Sequence, residues 1–89
     1  MNVEFDRSFL KSLQKLKEVQ IRMKVEGLIL ALEQADALAK IKSVKKIVGY
    51  QRYYRIRLGD YRLGLEKISS DTVRLIVIAH RKDVYDIFP

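Results

Sequence analysis

The sequence predicts an α+β domain, with helices gathered near the start and strands in the second half. Two features predict it. Apolar residues recur at helical spacing as far as Ala39, and beyond that point they alternate at strand spacing. The pair Gly59-Asp60 then divides an alternating segment in two, as a tight hairpin turn does. With 89 residues the chain makes one domain, residues 1–89, of a size that folds alone with modest stability.

Val3 to Phe5 reads as a short opening strand. Asp6 follows as an N-cap, with Phe5 and Leu10 at the N′ and N4 positions of a hydrophobic staple. Phe9, Leu10, Leu13 and Leu16 form the apolar face of a first helix, and Ile21, Val25, Leu28, Ile29 and Leu32 that of a second. From Leu16 to Ile21 the stripe jumps five residues, out of phase for one continuous helix. A tight turn near Glu18 to Gln20, and hence a helical hairpin, is expected there. Gly27 inside the second helix costs about 1 kcal/mol relative to alanine.

After Ala39, Lys42 to Val48 is a weak strand candidate. Tyr53 to Leu58 alternates cleanly, with Tyr54, Ile56 and Leu58 on one face and Tyr53, Arg55 and Arg57 on the other. Gly59-Asp60 suits a two-residue type II′ turn, and the return strand puts Tyr61, Leu63 and Leu65 opposite Arg62, Gly64 and Glu66. Ser69 to Thr72 reads as a second turn. Val73 to Ala79 is almost wholly apolar, which predicts a central strand covered on both faces. His80 to Pro89 is a short tail with apolar positions at Val84, Tyr85, Ile87 and Phe88.

All of the net charge of +7 lies between Lys40 and Arg62, where eight basic residues meet one acid, Asp60. Elsewhere ten basic residues balance ten acids. A local positive field of this kind points to a polyanion, and the interleaved Tyr50, Tyr53, Tyr54 and Tyr61 supply rings on which bases stack. No apolar run approaches the ~18 residues of a membrane span, and the first residues lack the segments of a signal peptide, so a cytoplasmic location is expected. With no cysteine and one histidine, neither a disulfide framework nor a zinc site is expected.

A two-residue turn fixes the hairpin register: Leu58 faces Tyr61, Arg57 faces Arg62, Ile56 faces Leu63, Arg55 faces Gly64, and Tyr54 faces Leu65. Arginines directly opposite on one sheet face repel. With Arg55 two residues along, beside a glycine that leaves room for a ligand, three guanidinium groups converge on a patch about 5–8 Å across. A local arrangement that works against the fold suggests an anionic ligand, and the guanidinium fork suits phosphate. The simpler alternative is a solvated basic surface. Lys40, Lys42, Lys45, Lys46 and Arg52 form a rim for non-specific phosphate attraction. His80 follows the last strand beside Arg81, either as a proton acceptor or as a structural residue. Tyr85 reads equally as a core aromatic or as a ring presented to a base.

The run Tyr54-Arg55-Ile56-Arg57-Leu58-Gly59-Asp60-Tyr61-Arg62, followed by His80-Arg81-Lys82-Asp83-Val84-Tyr85, resembles the RelE branch of the RelE/ParE toxin superfamily. The resemblance implies an N-terminal helical hairpin packed on a small antiparallel β-sheet. It implies the toxin of a type II toxin–antitoxin pair, which cuts ribosome-bound mRNA by attack of the 2′-hydroxyl on the adjacent phosphate, without a metal or other cofactor. On matching positions, Arg55 and Arg57 stand where the family has basic residues, Arg62 where it has a phosphate-binding arginine. Arg81 matches the arginine after the last strand, and Tyr85 the tyrosine that orients the substrate. Some relatives carry lysine at the positions of Arg55 and Arg57. A guanidinium is a poor base, which leaves His80 as proton acceptor or catalysis by charge stabilisation and alignment.

The resemblance also implies a cognate antitoxin with an acidic or amphipathic segment, and contact with DNA only through that complex. Two other functions stay open on the sequence. One is a ParE-like poison of DNA gyrase on the same fold. The other is a basic RNA-binding domain without activity.

Overall fold

The computed structural model describes all 89 residues. Five strands form one sheet: β1 (Asn2–Phe5), β2 (Val44–Lys46), β3 (Tyr53–Leu58), β4 (Tyr61–Ser69) and β5 (Thr72–His80), in spatial order β1-β5-β4-β3-β2. Two helices, α1 (Arg7–Lys15) and α2 (Val19–Gln34), lie between β1 and β2 in sequence, and a short α3 (Val84–Ile87) closes the chain. The sheet is mixed, not antiparallel as the sequence implied. β2 to β5 form an antiparallel meander, but β1 pairs with β5 in parallel, Val3 opposite Val73. A parallel pair needs a long crossover, and α1, α2 and the meander supply it.

The helices follow the opening strand, as expected, and each packs on the sheet, α1 across β5 and α2 across β1 and β3. Their principal contacts are with strands rather than with each other, which leaves the expected helical hairpin unconfirmed. The break falls at Leu16–Glu18, slightly earlier than expected, because Leu16 leaves the helix in extended geometry and buries its side chain in the core. Asp6 caps α1 as predicted, accepting from the Ser8 backbone N–H at 3.1 Å. The staple fails. Phe5 and Leu10 are both half exposed, and the Phe5 ring meets Phe9 instead at 6.0 Å.

Phe9, Leu32, Ile56, Leu63, Leu65, Val73 and Leu75 fill the core between the helices and one sheet face. The opposite face is only partly covered, by Val84 and Phe88 of the C-terminal segment packing on Val77. β5 serves both faces through a bulge. Leu65 pairs with Leu75 and Gly64 with Val77, which leaves Ile76 as an extra residue. Past it the alternation slips by one, so Ile78 rejoins the helix-side core and Val77 faces Phe88. The second turn is Ser70–Asp71, tighter than expected. The Ser69 and Thr72 hydroxyls donate to the Asp71 carboxylate and hold its pKa below the usual carboxylate range. No helix is long and apolar enough to cross a membrane.

Candidate nucleic-acid interface

The hairpin register matches the sequence expectation at every pair. Arg57 stands opposite Arg62, and Arg55 opposite Gly64. Gly59 takes a φ of 60° while Asp60 does not enter the left-handed region, as a type II′ turn requires. β2 adds Lys45 opposite Arg55. On this face a cavity of about 450 Å³ is lined by Ser43, Lys45, Arg55, Arg57, Arg62 and Tyr85. It holds four cations and no carboxylate. The ion pairs of the chain, Lys40–Asp36, Arg52–Glu66 and Arg74–Glu4, involve none of them.

Tyr85 is placed by its neighbours. Val84 and Phe88 are buried on the sheet, which turns the intervening Tyr85 outward, 72 % exposed. The Arg55 guanidinium carbon lies 4.7 Å from the centre of the Tyr85 ring, within cation–π range. Arg62 is tethered to the turn, donating to the Gly59 and Tyr61 carbonyls at 2.9 Å each. The Arg81 backbone N–H donates to the Asp60 carbonyl at 2.8 Å, which docks the start of the tail on the same turn. Its side chain lines an adjoining cavity of about 790 Å³ that shares Ser43, Arg57 and Arg62 with the first.

Several predicted contributors lie elsewhere. His80 pairs with Tyr61 on the helix side of the sheet, ring centroids 5.4 Å apart, and lines a third cavity beside α1. Strict alternation along β5 would have put it among the arginines; the bulge at Ile76 moves it to the opposite face, while Arg81, just past the strand, lines the adjoining cavity with Arg57 and Arg62. Gly64 is not open to a ligand. A Cβ there would lie 2.7–2.8 Å from atoms of the Phe88 ring, so the glycine makes room for Phe88. Arg52 is paired with Glu66 at 3.8 Å, and Lys46 faces the helix side beside Tyr54, so neither reaches the cavities. Lys42 and Lys45 do.

The tyrosines divide likewise. Tyr54 and Tyr61 pack on the helix-side core, and Tyr53 is wedged edge-on between Tyr50 and Phe88. Burial and the nearby Glu18 carboxylate, which accepts from its hydroxyl at 3.2 Å, raise the Tyr61 pKa. Sequence reasoning missed Lys24 and Ser43. Lys24 sits on α2, whose azimuth relative to the hairpin no local pattern reveals. Ser43 holds a φ of 66° just before β2, a conformation that serine does not signal. No group of three His, Asp or Glu side chains is placed to hold a metal ion.

The model of the family described as ParE toxin of type II toxin-antitoxin system, parDE, matches residues 3–85. The chain is 39% identical to Toxin RelE3 of Methanocaldococcus jannaschii over 90 residues, covering 100% of both. Its structure superposes on the RelB-RelE antitoxin-toxin complex from Methanococcus jannaschii with a TM-score of 0.81 and 36% identity, over 97% of this chain and 99% of that one. The intact E. coli RelBE complex shares the fold, at a TM-score of 0.69 and 22% identity over 89% and 94% of the chains. The protein belongs to the RelE/ParE toxin superfamily, in its RelE-like branch.

Proposed function

We propose that this toxin is a ribosome-dependent endoribonuclease that cuts mRNA and is held in check by a cognate antitoxin. One observation carries the reading: a single cavity gathers Lys45, Arg55, Arg57 and Arg62 around the exposed Tyr85 ring with no carboxylate among them. Like charges opposite one another work against the sheet, and a phosphodiester relieves that repulsion. In this reading a base stacks on Tyr85, a contact worth about 1–3 kcal/mol, and Arg55, Arg57 and Arg62 hold the scissile phosphate.

The ribose 2′-oxygen attacks phosphorus and the bond to the 5′-oxygen breaks. The products are a 2′,3′-cyclic phosphate and a 5′-hydroxyl, and the proton lost at one oxygen and gained at the other exchanges with solvent. Negative charge grows on the non-bridging oxygens, where fixed guanidinium groups stabilise it. Arg62, already bonded to the turn carbonyls, needs little reorganisation. Arg81 acts from the adjoining wall. His80, on the other face, takes no proton here, so catalysis rests on charge and alignment. The step as drawn uses no metal.

Relatives solved with their antitoxins support a protein partner, and the cationic face gives an acidic segment of it an electrostatic target. Inducible expression with message mapping tests the function. Growth arrest with translated mRNAs cut inside codons supports it, and intact message in arrested cells refutes it. Because the matching family model carries the ParE description, arrest with DNA damage and continuing translation would favour a gyrase poison instead.

A further inference from the structure

Beyond the Arg57–Arg62 wall the cationic surface continues into the 790 Å³ cavity between α2 and the β3–β4 turn. Its chemistry differs from that of its neighbour. Leu28, Ile41, Ile56 and Leu58 give it an apolar floor. Its rim carries Lys24, Lys42 and Arg81 as well as the two shared arginines, with Asp60 the one carboxylate. Lys24 comes from outside the basic segment. Its ammonium lies 3.6 Å from where Gly59 would carry a Cβ, so it reaches from the helix over the hairpin turn. Lys24, Lys42 and Arg81 take part in none of the chain's ion pairs.

We propose that this cavity is a second nucleotide subsite, which holds the nucleotide adjacent to the one stacked on Tyr85. Lys24 and Lys42 take its phosphate, and the apolar floor receives its base. The proposal rests on the ribonuclease reading and extends it along the strand. Ser43, Arg57 and Arg62 line both cavities, so a backbone passing from one to the other carries the phosphate between the two nucleotides across the shared arginines. An acidic peptide with apolar side chains would also suit the larger cavity. Single-stranded RNA suits the pair better, because the smaller one offers cations and a single exposed ring rather than an apolar floor.

Fluorescence anisotropy with uncleavable 2′-O-methyl RNA, as a nucleoside 3′-monophosphate that fills the Tyr85 site alone and as a trinucleotide that reaches the second cavity, tests it across a salt series. The wild-type protein should bind the trinucleotide about tenfold tighter than the mononucleotide. Lys24→Glu, at an exposed position outside the Tyr85 site, should abolish that gain, leave mononucleotide affinity unchanged, and lower the salt slope for the trinucleotide by about 0.7, one phosphate contact on a single strand. A length gain that survives in Lys24→Glu, or is missing from the wild type, overturns the subsite. Lys24-dependent binding of a glutamate- and leucine-rich peptide with no effect of RNA length assigns the cavity to a protein and overturns it too. Failure of the ribonuclease reading looks different: Arg55→Ala and Tyr85→Ala would then leave mononucleotide affinity unchanged.

Discussion

The Phe88 ring occupies the space that a side chain on residue 64 would need, its nearest carbon 2.7 Å from the Cβ position of Gly64. Burying a phenylalanine contributes roughly 1.5–3 kcal/mol, and here that contact pins α3 to the sheet and so sets where Tyr85 stands. Gly64→Ala should therefore cost about 1–3 kcal/mol by overpacking and also slow RNA cleavage. In a Phe88→Leu background the same substitution should cost less. A double-mutant cycle in urea checks the coupling, and additive effects would contradict it.

In the proposed function Tyr85 acts through its ring. Tyr85→Phe keeps a face for Arg55 and for a base, and should leave message cleavage within about threefold of wild type. Tyr85→Ala removes a stacking contact of about 1–3 kcal/mol, a loss of roughly 5- to 150-fold. Cleavage of a translated message with purified ribosomes reads both.

Arg57 is exposed and opposes Arg62, a like-charge pairing that costs the sheet and that the proposed function assigns to the substrate. Arg57→Ala should lose growth arrest while its thermal midpoint stays level or rises. A lower midpoint together with lost toxicity would make the residue structural.

His80 lies on the helix side of β5, and His80→Ala should keep cleavage within about threefold of wild type. A loss beyond about tenfold, in a variant whose melting is unchanged, would put the imidazole in the reaction.

Asp6 binds the Ser8 hydroxyl and backbone N–H, and both hold its carboxyl below the usual carboxylate range. A lowered folded-state pKa gives stability that is present above the unfolded value and lost as pH falls through the folded one. Asp6→Ala should thus melt below wild type near neutral pH, with the gap closing in acid below the ordinary carboxylate range. A gap that stays constant with pH would contradict the cap.

Much of the cationic face was legible because a two-residue turn leaves no freedom of register, so Arg55, Arg57 and Arg62 could be placed from Gly59-Asp60 alone. β5 could not be phased in the same way. Leu75 to Ala79 are all apolar, so no polar position among them marks the slip at Ile76. Gly64 was misjudged because its partner, Phe88, lies far along the chain, and a glycine looks the same whether it admits a ligand or a ring. The parallel β1–β5 pair likewise depends on tertiary packing that the short opening strand does not announce.

The surplus residue in β5 works as a parity switch. It decides on which face of the sheet the imidazole at the strand's exit stands, and here keeps it off the cationic face. A homologue lacking that insertion would present the residue preceding its arginine, so equivalence between family members at the strand's exit has to be judged by sheet face, not by alignment column.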